Sequence, residues 1–236
     1  MRDATHITLV IDRSGSMSSI KTDAEGAINS FVGEQQKVPG DCRLKLVEFD
    51  APGHGADWYH VVTDADLAKA PTYVLNPRGN TALLDAVARA INETGQYLAN
   101  LSEDLRPDKV IFVIQTDGQE NSSKEHTWEQ VAEMIKVQTE QFAWQFVFLG
   151  MGQDSWGQGQ RLGVSNVVRA GGTGEAHAHT HSVMNAYAAD YRVGAAATMD
   201  SMADLTVDDH GQVTNARGQR VNSATGKVED DDTAKS

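Results

Sequence analysis

Short apolar runs and longer amphipathic stretches take turns along this chain. His6-Ile-Thr-Leu-Val-Ile11 before Asp12, Lys109 to Thr116 around Val110-Ile-Phe-Val-Ile114, and Trp144 to Gly150 have the length and two-faced hydrophobicity of buried parallel strands. Cys42 to Phe49 and Asn166 to Ala170 read as further strands, and Trp58 to Val62 as a third strand paired with Cys42–Phe49 in a hairpin. Between them lie stretches of helical period. Ile20 to Gln36 carries Ala24, Ala27, Ile28, Phe31 and Val32, and Thr81 to Leu101 carries Leu83, Leu84, Val87, Ala90 and Ile91. Helices are also predicted over Thr127 to Thr139, Ser155 to Leu162 and Ala176 to Ala197. Strands alternating with helices predict an α/β fold: a doubly wound, mostly parallel sheet with one antiparallel edge strand and helices on both faces.

The pattern weakens after the last of these helices. Residues 1–172 read as one domain, 173–200 as a C-terminal helix appended to it, and 201–236 as a weakly structured acidic tail, with a hairpin near Asp209-His210-Gly211. Such a tail is expected to be dispensable for folding. No internal repeat is apparent.

Composition excludes several classes. A net charge of -13 leaves no cationic excess to neutralise phosphates, so no nucleic-acid partner is expected. No apolar run approaches the ~20 residues that cross a bilayer, so no membrane association is expected. No signal-peptide pattern opens the chain, and Cys42 is the single cysteine, so the expected location is the cytoplasm. The sequence specifies no oligomeric state.

The candidate chemistry sits at the ends of strands. Asp12-Arg13-Ser14-Gly15-Ser16 follows the first strand, Gly79-Asn80-Thr81 opens a helix, and Thr116-Asp117-Gly118 follows the clearest strand. In an open parallel sheet the carboxyl ends of the strands form the ligand-binding edge, so the three clusters are predicted to meet there. Their side chains are hard oxygen donors without Cys or His, a set suited to Mg²⁺, with Mn²⁺ or Ca²⁺ as alternatives.

These motifs resemble the metal-ion-dependent adhesion site of von Willebrand factor A (vWA) domains over roughly residues 5 to 170. The contexts Gly79-Asn-Thr-Ala-Leu-Leu-Asp-Ala86 and Thr116-Asp-Gly-Gln-Glu-Asn-Ser-Ser123 are similar to bacterial and phage members. The resemblance implies a Rossmann-like fold and a metal held by Asp12, Ser14, Ser16, Thr81 and Asp117. Ser14 and Ser16 would ligate directly through their hydroxyls, Thr81 would do so at least in the ligand-bound state, and Asp12 and Asp117 would act mainly through coordinated water. It further implies a position left for an Asp or Glu donated by a protein partner, such as an AAA+ ATPase or a signalling assembly, and no enzymatic activity.

Other readings stand beside this one. Asp12, Asp117 and Thr81 could be helix N-caps. Asp12 could be the nucleophile of a metal-dependent phosphohydrolase, although Ser14 stands where an Asp-x-Asp phosphatase has its second carboxylate. The fold could also serve as a structural assembly component that uses no metal. His177, His179 and His181 suit either a transition metal or, as preferred, a polar opening of a helix. The four tryptophans are expected to pack, and Arg13 to face solvent.

Overall fold

The computed structural model describes residues 4–53, 57–151, 155–194 and 205–229. In chain order the strands are β1 (Ala4–Asp12), β2 (Asp41–Phe49), β3 (Tyr59–Asp66), β4 (Lys109–Thr116), β5 (Gln145–Met151), β6 (Asn166–Ala170), β7 (Leu205–Val207), β8 (Val213–Thr214) and β9 (Arg220–Val221). The helices are α1 (Lys21–Lys37), α2 (Leu83–Asn100), α3 (Trp128–Phe142), α4 (Trp156–Arg161) and α5 (Gly174–Arg192). One sheet runs in the order β3-β2-β1-β4-β5-β6-β7-β8-β9. Strands β2-β1-β4-β5-β6-β7 are parallel, and β3 closes one edge antiparallel. The order reverses between β1 and β4, which places the ligand-binding crevice at the carboxyl ends of these two strands.

Each central strand serves two cores because its side chains alternate between faces. Ile7, Leu9 and Ile11 of β1 join α1 and α5 on one face, where Ile28, Phe31, Val183 and Met184 are buried. Val10, with Phe112 and Ile114 of β4, packs on the other face against Val87, Ile91, Val131 and Ile135 of α2 and α3. Burial on both faces explains why β1 and β4 lack the polar alternation of a half-exposed strand. No described helix is long and apolar enough to cross a membrane.

Residues 205–229 depart from the weakly structured tail expected from the sequence. Strand β7 pairs in parallel with β6, and β8 and β9 continue the sheet antiparallel. Leu205, Val207, Val213 and Val221 are buried in the same core as α1 and α5. The physical reason is that β6 would otherwise be an open edge, and these short strands cover it. The segment also contains a repeat that apolar periodicity does not reveal. Asp208, Asn215 and Asn222 each turn the chain by accepting backbone N–H groups from residues two to four further on. Gly211, Gly218 and Gly226 follow with positive φ, which completes each turn. The predicted turn near Asp209 is the first of the three. Helix α5 is described to Arg192, and the expected continuation over 195–197 lies outside the described residues.

Buried histidines give the fold a dependence on pH. His6 is 1% exposed, neither ring nitrogen has a hydrogen-bond partner among the described residues, and burial lowers its pKa to about 4. His181 is likewise lowered to about 3 by burial. Between pH 6.5 and 4 the unfolded chain takes up a proton that folded His6 refuses, so stability falls as pH falls through that window. A His6→Phe variant cannot take up this proton. Its melting temperature, relative to wild type, should therefore rise steadily as pH is lowered from 6.5 to 4. A gap independent of pH would show that folded His6 takes up its proton as readily as the unfolded chain does.

Candidate metal centre

The β1 carboxyl end carries the first half of the site. Asp12 is fully buried; its Oδ1 accepts the Ser14 N–H at 2.6 Å and its Oδ2 accepts the Thr116 hydroxyl at 2.6 Å. That second bond ties β1 to β4 across the crevice. The Ser14 and Ser16 hydroxyls lie 3.1 Å apart, and Ser16 donates to Asp117 Oδ1 at 2.8 Å. All four side chains are thus joined in one chain of polar contacts.

Thr81 arrives from a separate loop. Gly79 turns this loop with φ +70°, a left-handed conformation that costs glycine little, and its carbonyl accepts the Gly15 N–H at 3.0 Å. Helix α2 begins only at Leu83, and its Leu84 N–H is met by the Glu120 carboxylate at 3.0 Å. The Thr81 hydroxyl is therefore not the cap of α2, and among the described residues it makes no hydrogen bond. Asp12 and Asp117 do not cap helices either: the 3-10 helix at Gly15–Ile20 follows Ser14, and α3 is capped by Thr127.

Gly118 reports the convergence. A Cβ placed on it would lie 3.1 Å from Thr81 Oγ1, 3.4 Å from Ser16 Oγ and 3.6 Å from Asp12 Oδ2. Oxygens from the Asp12–Ser16 loop and from the Thr81 loop thus surround a single point beside a residue of a third loop that has no side chain.

The electrostatics of this pocket suit a cation. Burial pushes Asp12 up to about 7, and only hydrogen bonds from Thr116 and Ser14 oppose that shift; nearby Asp117 adds to it. Burial raises Asp117 as well. Asp117 disfavours the ionised form of Asp12, and among the described residues no positive side chain offsets the burial of either carboxylate; a divalent ion would supply that charge. The donors are two carboxylates and three hydroxyls, which fits a hard ion, and no cluster of three or more His, Cys, Asp or Glu with metal-site geometry occurs among the described residues.

Supporting residues escaped the sequence reading. The Glu120 carboxylate accepts the Ser122 and Ser123 N–H groups, and buried Asp85 accepts those of Lys124, Glu125 and His126. Together they fold the segment after Asp117 over the start of α2, where Thr81 O accepts the Asn121 and Ser122 N–H groups. Gln158 clamps the same segment through Gly118 O and the Glu120 N–H. The Glu and Asp at these spacings are visible in the sequence, but their backbone partners are not.

Arg13 corrects an expectation. It is 4% exposed rather than solvent-facing, and bonds Glu48, Asp50 and the Asp57 carbonyl beneath the loop. A guanidinium can be buried here because three acidic groups surround it. His177 and His181 likewise lie on the buried face of α5 and not in a polar helix opening; His179 faces out and contacts Glu175 O. Trp144 is buried, and Trp58 and Trp128 pack against the α2–α3 core.

Strand order, helix layers and the placement of these loops define the fold of a vWA domain. Solved structures agree with that class. The chain resembles a von Willebrand factor type A protein from Catenulispora acidiphila (TM-score 0.54, 17% identity), covering 78% of this chain and 42% of that one. It resembles the pilus adhesin SpaC of Lactobacillus rhamnosus GG in its open conformation (0.55, 14%), over 77% of this chain and 29% of the adhesin. It is also similar to proximal thread matrix protein 1 from the mussel byssus (0.56, 13%), over 79% of this chain and 46% of that protein. The chain therefore spans less than half the length of each. No family model and no curated protein sequence matches it.

Proposed function

We propose that this protein is a divalent-metal-dependent protein-binding module. The observation that carries the reading is the convergence of Thr81, Ser16 and Asp12 oxygens beside Gly118, next to two carboxylates whose burial no positive side chain offsets among the described residues. Ser14, Ser16 and Thr81 would hold Mg²⁺, or alternatively Mn²⁺ or Ca²⁺, with Asp12 and Asp117 acting mainly through water. Neutral hydroxyls and water leave the ion's charge largely uncompensated, so the remaining position attracts a carboxylate. An Asp or Glu from a protein partner is the natural occupant, and an AAA+ ATPase or a signalling assembly is the class of partner in view. The free Cys42 accords with a cytoplasmic setting.

A nucleophilic role for Asp12 is disfavoured, because it is fully buried and both of its oxygens already accept hydrogen bonds. The protein is read as a binder and not as an enzyme.

Partner capture from the native host, run with Mg²⁺ and with chelator, tests the reading. A true partner should be retained only with the cation, and should be lost when its acidic residue is neutralised. Thr81→Ala should weaken that capture more than it weakens metal binding, because the Thr81 hydroxyl makes no hydrogen bond among the described residues and is left for the ligated state, while the Thr81 backbone stays bonded to Asn121 and Ser122. Retention that survives chelation would place the recognition surface elsewhere.

A further inference from the structure

The loops that bring Ser14, Ser16 and Thr81 together are stitched to each other by an ionic lattice outside the ligand set. Arg78 N–H donates to Arg13 O at 2.7 Å, and Gly15 N–H to Gly79 O at 3.0 Å, so the Asp12 loop and the Thr81 loop run as a bonded pair. Asp50, fully buried at the end of β2, links both from below. Its carbonyl accepts the Ala82 N–H at 3.1 Å, and its Oδ2 accepts from both Arg13 Nε (3.2 Å) and Arg78 Nε. Arg78 also donates to Asp57 Oδ1 at 2.7 Å, and Arg13 to the carbonyl of the same residue. Arg13 is sealed inside this lattice, whereas the Arg78 side chain is 35% exposed and closes it from the solvent side.

Rigidity of this kind bears on ion choice. Mg²⁺ and Mn²⁺ require a small, near-octahedral shell, whereas Ca²⁺ takes longer bonds, higher coordination and a flexible cage. If the Thr81 loop cannot move away from the Asp12 loop, the cage cannot widen. We propose that Arg78 is a selectivity-determining positioning residue: by locking the Thr81 loop to Asp50 and Asp57 it keeps the site small and disfavours Ca²⁺ against Mg²⁺ and Mn²⁺. The proposal rests on the metal-binding reading above and adds to it the choice of ion and the residue that sets it.

The planar guanidinium bonds Asp50 and Asp57 at once, a geometry that a lysine ammonium reproduces only in part. Supporting partners of metal ligands typically influence affinity by about 10–100-fold. The test uses the full chain, with Mn²⁺ binding followed by the EPR signal of the free ion and Ca²⁺ added as competitor. Wild type should bind one Mn²⁺ that Ca²⁺ displaces poorly. Arg78→Ala should bind Mn²⁺ about tenfold more weakly and lose most of the preference over Ca²⁺, with Arg78→Lys in between. Melting temperatures should stay close to wild type, since the backbone bonds at Arg78 and Ala82 remain. A purely structural role would lower the melting temperature and leave the Mn²⁺ to Ca²⁺ preference unchanged. An unchanged preference in both variants overturns the proposal, whatever the affinity does. Absence of Mn²⁺ binding by wild type itself overturns the metal reading, a result distinct from failure of the lock.

Discussion

A chain ending at residue 200 should melt about 10 °C or more below the full-length protein. The cut removes Leu205, Val207, Val213 and Val221 from the core shared by α1 and α5. Burying such side chains contributes roughly 1.5–3 kcal/mol each, against a total stability of only about 5–15 kcal/mol. The loss is partly offset because the removed segment no longer has to be ordered. It is also compounded: β6 becomes an open edge, and α5 loses the bonds from Tyr187 to Gly226 O and from Ser182 to Ser223 O. A net loss of about 3 kcal/mol corresponds to roughly 10 °C for a chain of this size. Calorimetry of the two proteins side by side decides the matter. Melting within a degree or two of full length would mean that β7–β9 contribute no net stability.

The second large effect concerns Asp12. Saturating Mg²⁺ should raise the melting temperature of wild type by roughly 5–10 °C once the ion exceeds its dissociation constant about a hundredfold. Asp12→Asn should abolish that shift. The same substitution should leave the cation-free protein as stable as wild type or more so. Without a metal, burial raises Asp12 from 3.8 to about 7, so keeping it folded and ionised is unfavourable. That cost is absent below pH 3.8, accumulates as pH rises through the interval up to 7, and is fully present above 7. The melting temperature of the variant relative to wild type, both in chelator, should therefore rise over this interval. Asparagine preserves the shape and can still bond Ser14 and Thr116, so a folded variant that no longer responds to Mg²⁺ isolates the charge. A variant stabilised by Mg²⁺ as much as wild type would remove Asp12 from the site.

Much of the fold was legible because its central strands are buried on both faces. Val110 to Ile114 could not alternate with polar residues while α1 and α5 cover one side and α2 and α3 the other. Strand β3 was harder to read to its end. Thr63-Asp-Ala-Asp66 lies on an edge strand where polar side chains are tolerated, so apolar periodicity ended at Val62 while the backbone ladder continued to Asp66. The last three strands were missed for a related reason. Two or three residues are too few to show a period, and their signal is the recurring Asx turn instead.

The candidate ligands could be read because each follows a strand or opens a helix at the edge where strand order reverses. What surrounds them could not. Arg13 resembles an exposed loop residue until Glu48, Asp50 and Asp57 are brought around it by the β1–β2 pairing and the turn after β2. A charged residue's burial depends on partners distant in sequence, and no local pattern records them.

Anomalous diffraction from crystals grown with Mn²⁺ would locate the bound ion. One peak is expected per chain, bounded by the hydroxyls of Ser14, Ser16 and Thr81, with Asp12 and Asp117 behind it and an open position facing solvent. No peak at that place, or a sole peak elsewhere on the molecule, would contradict the account.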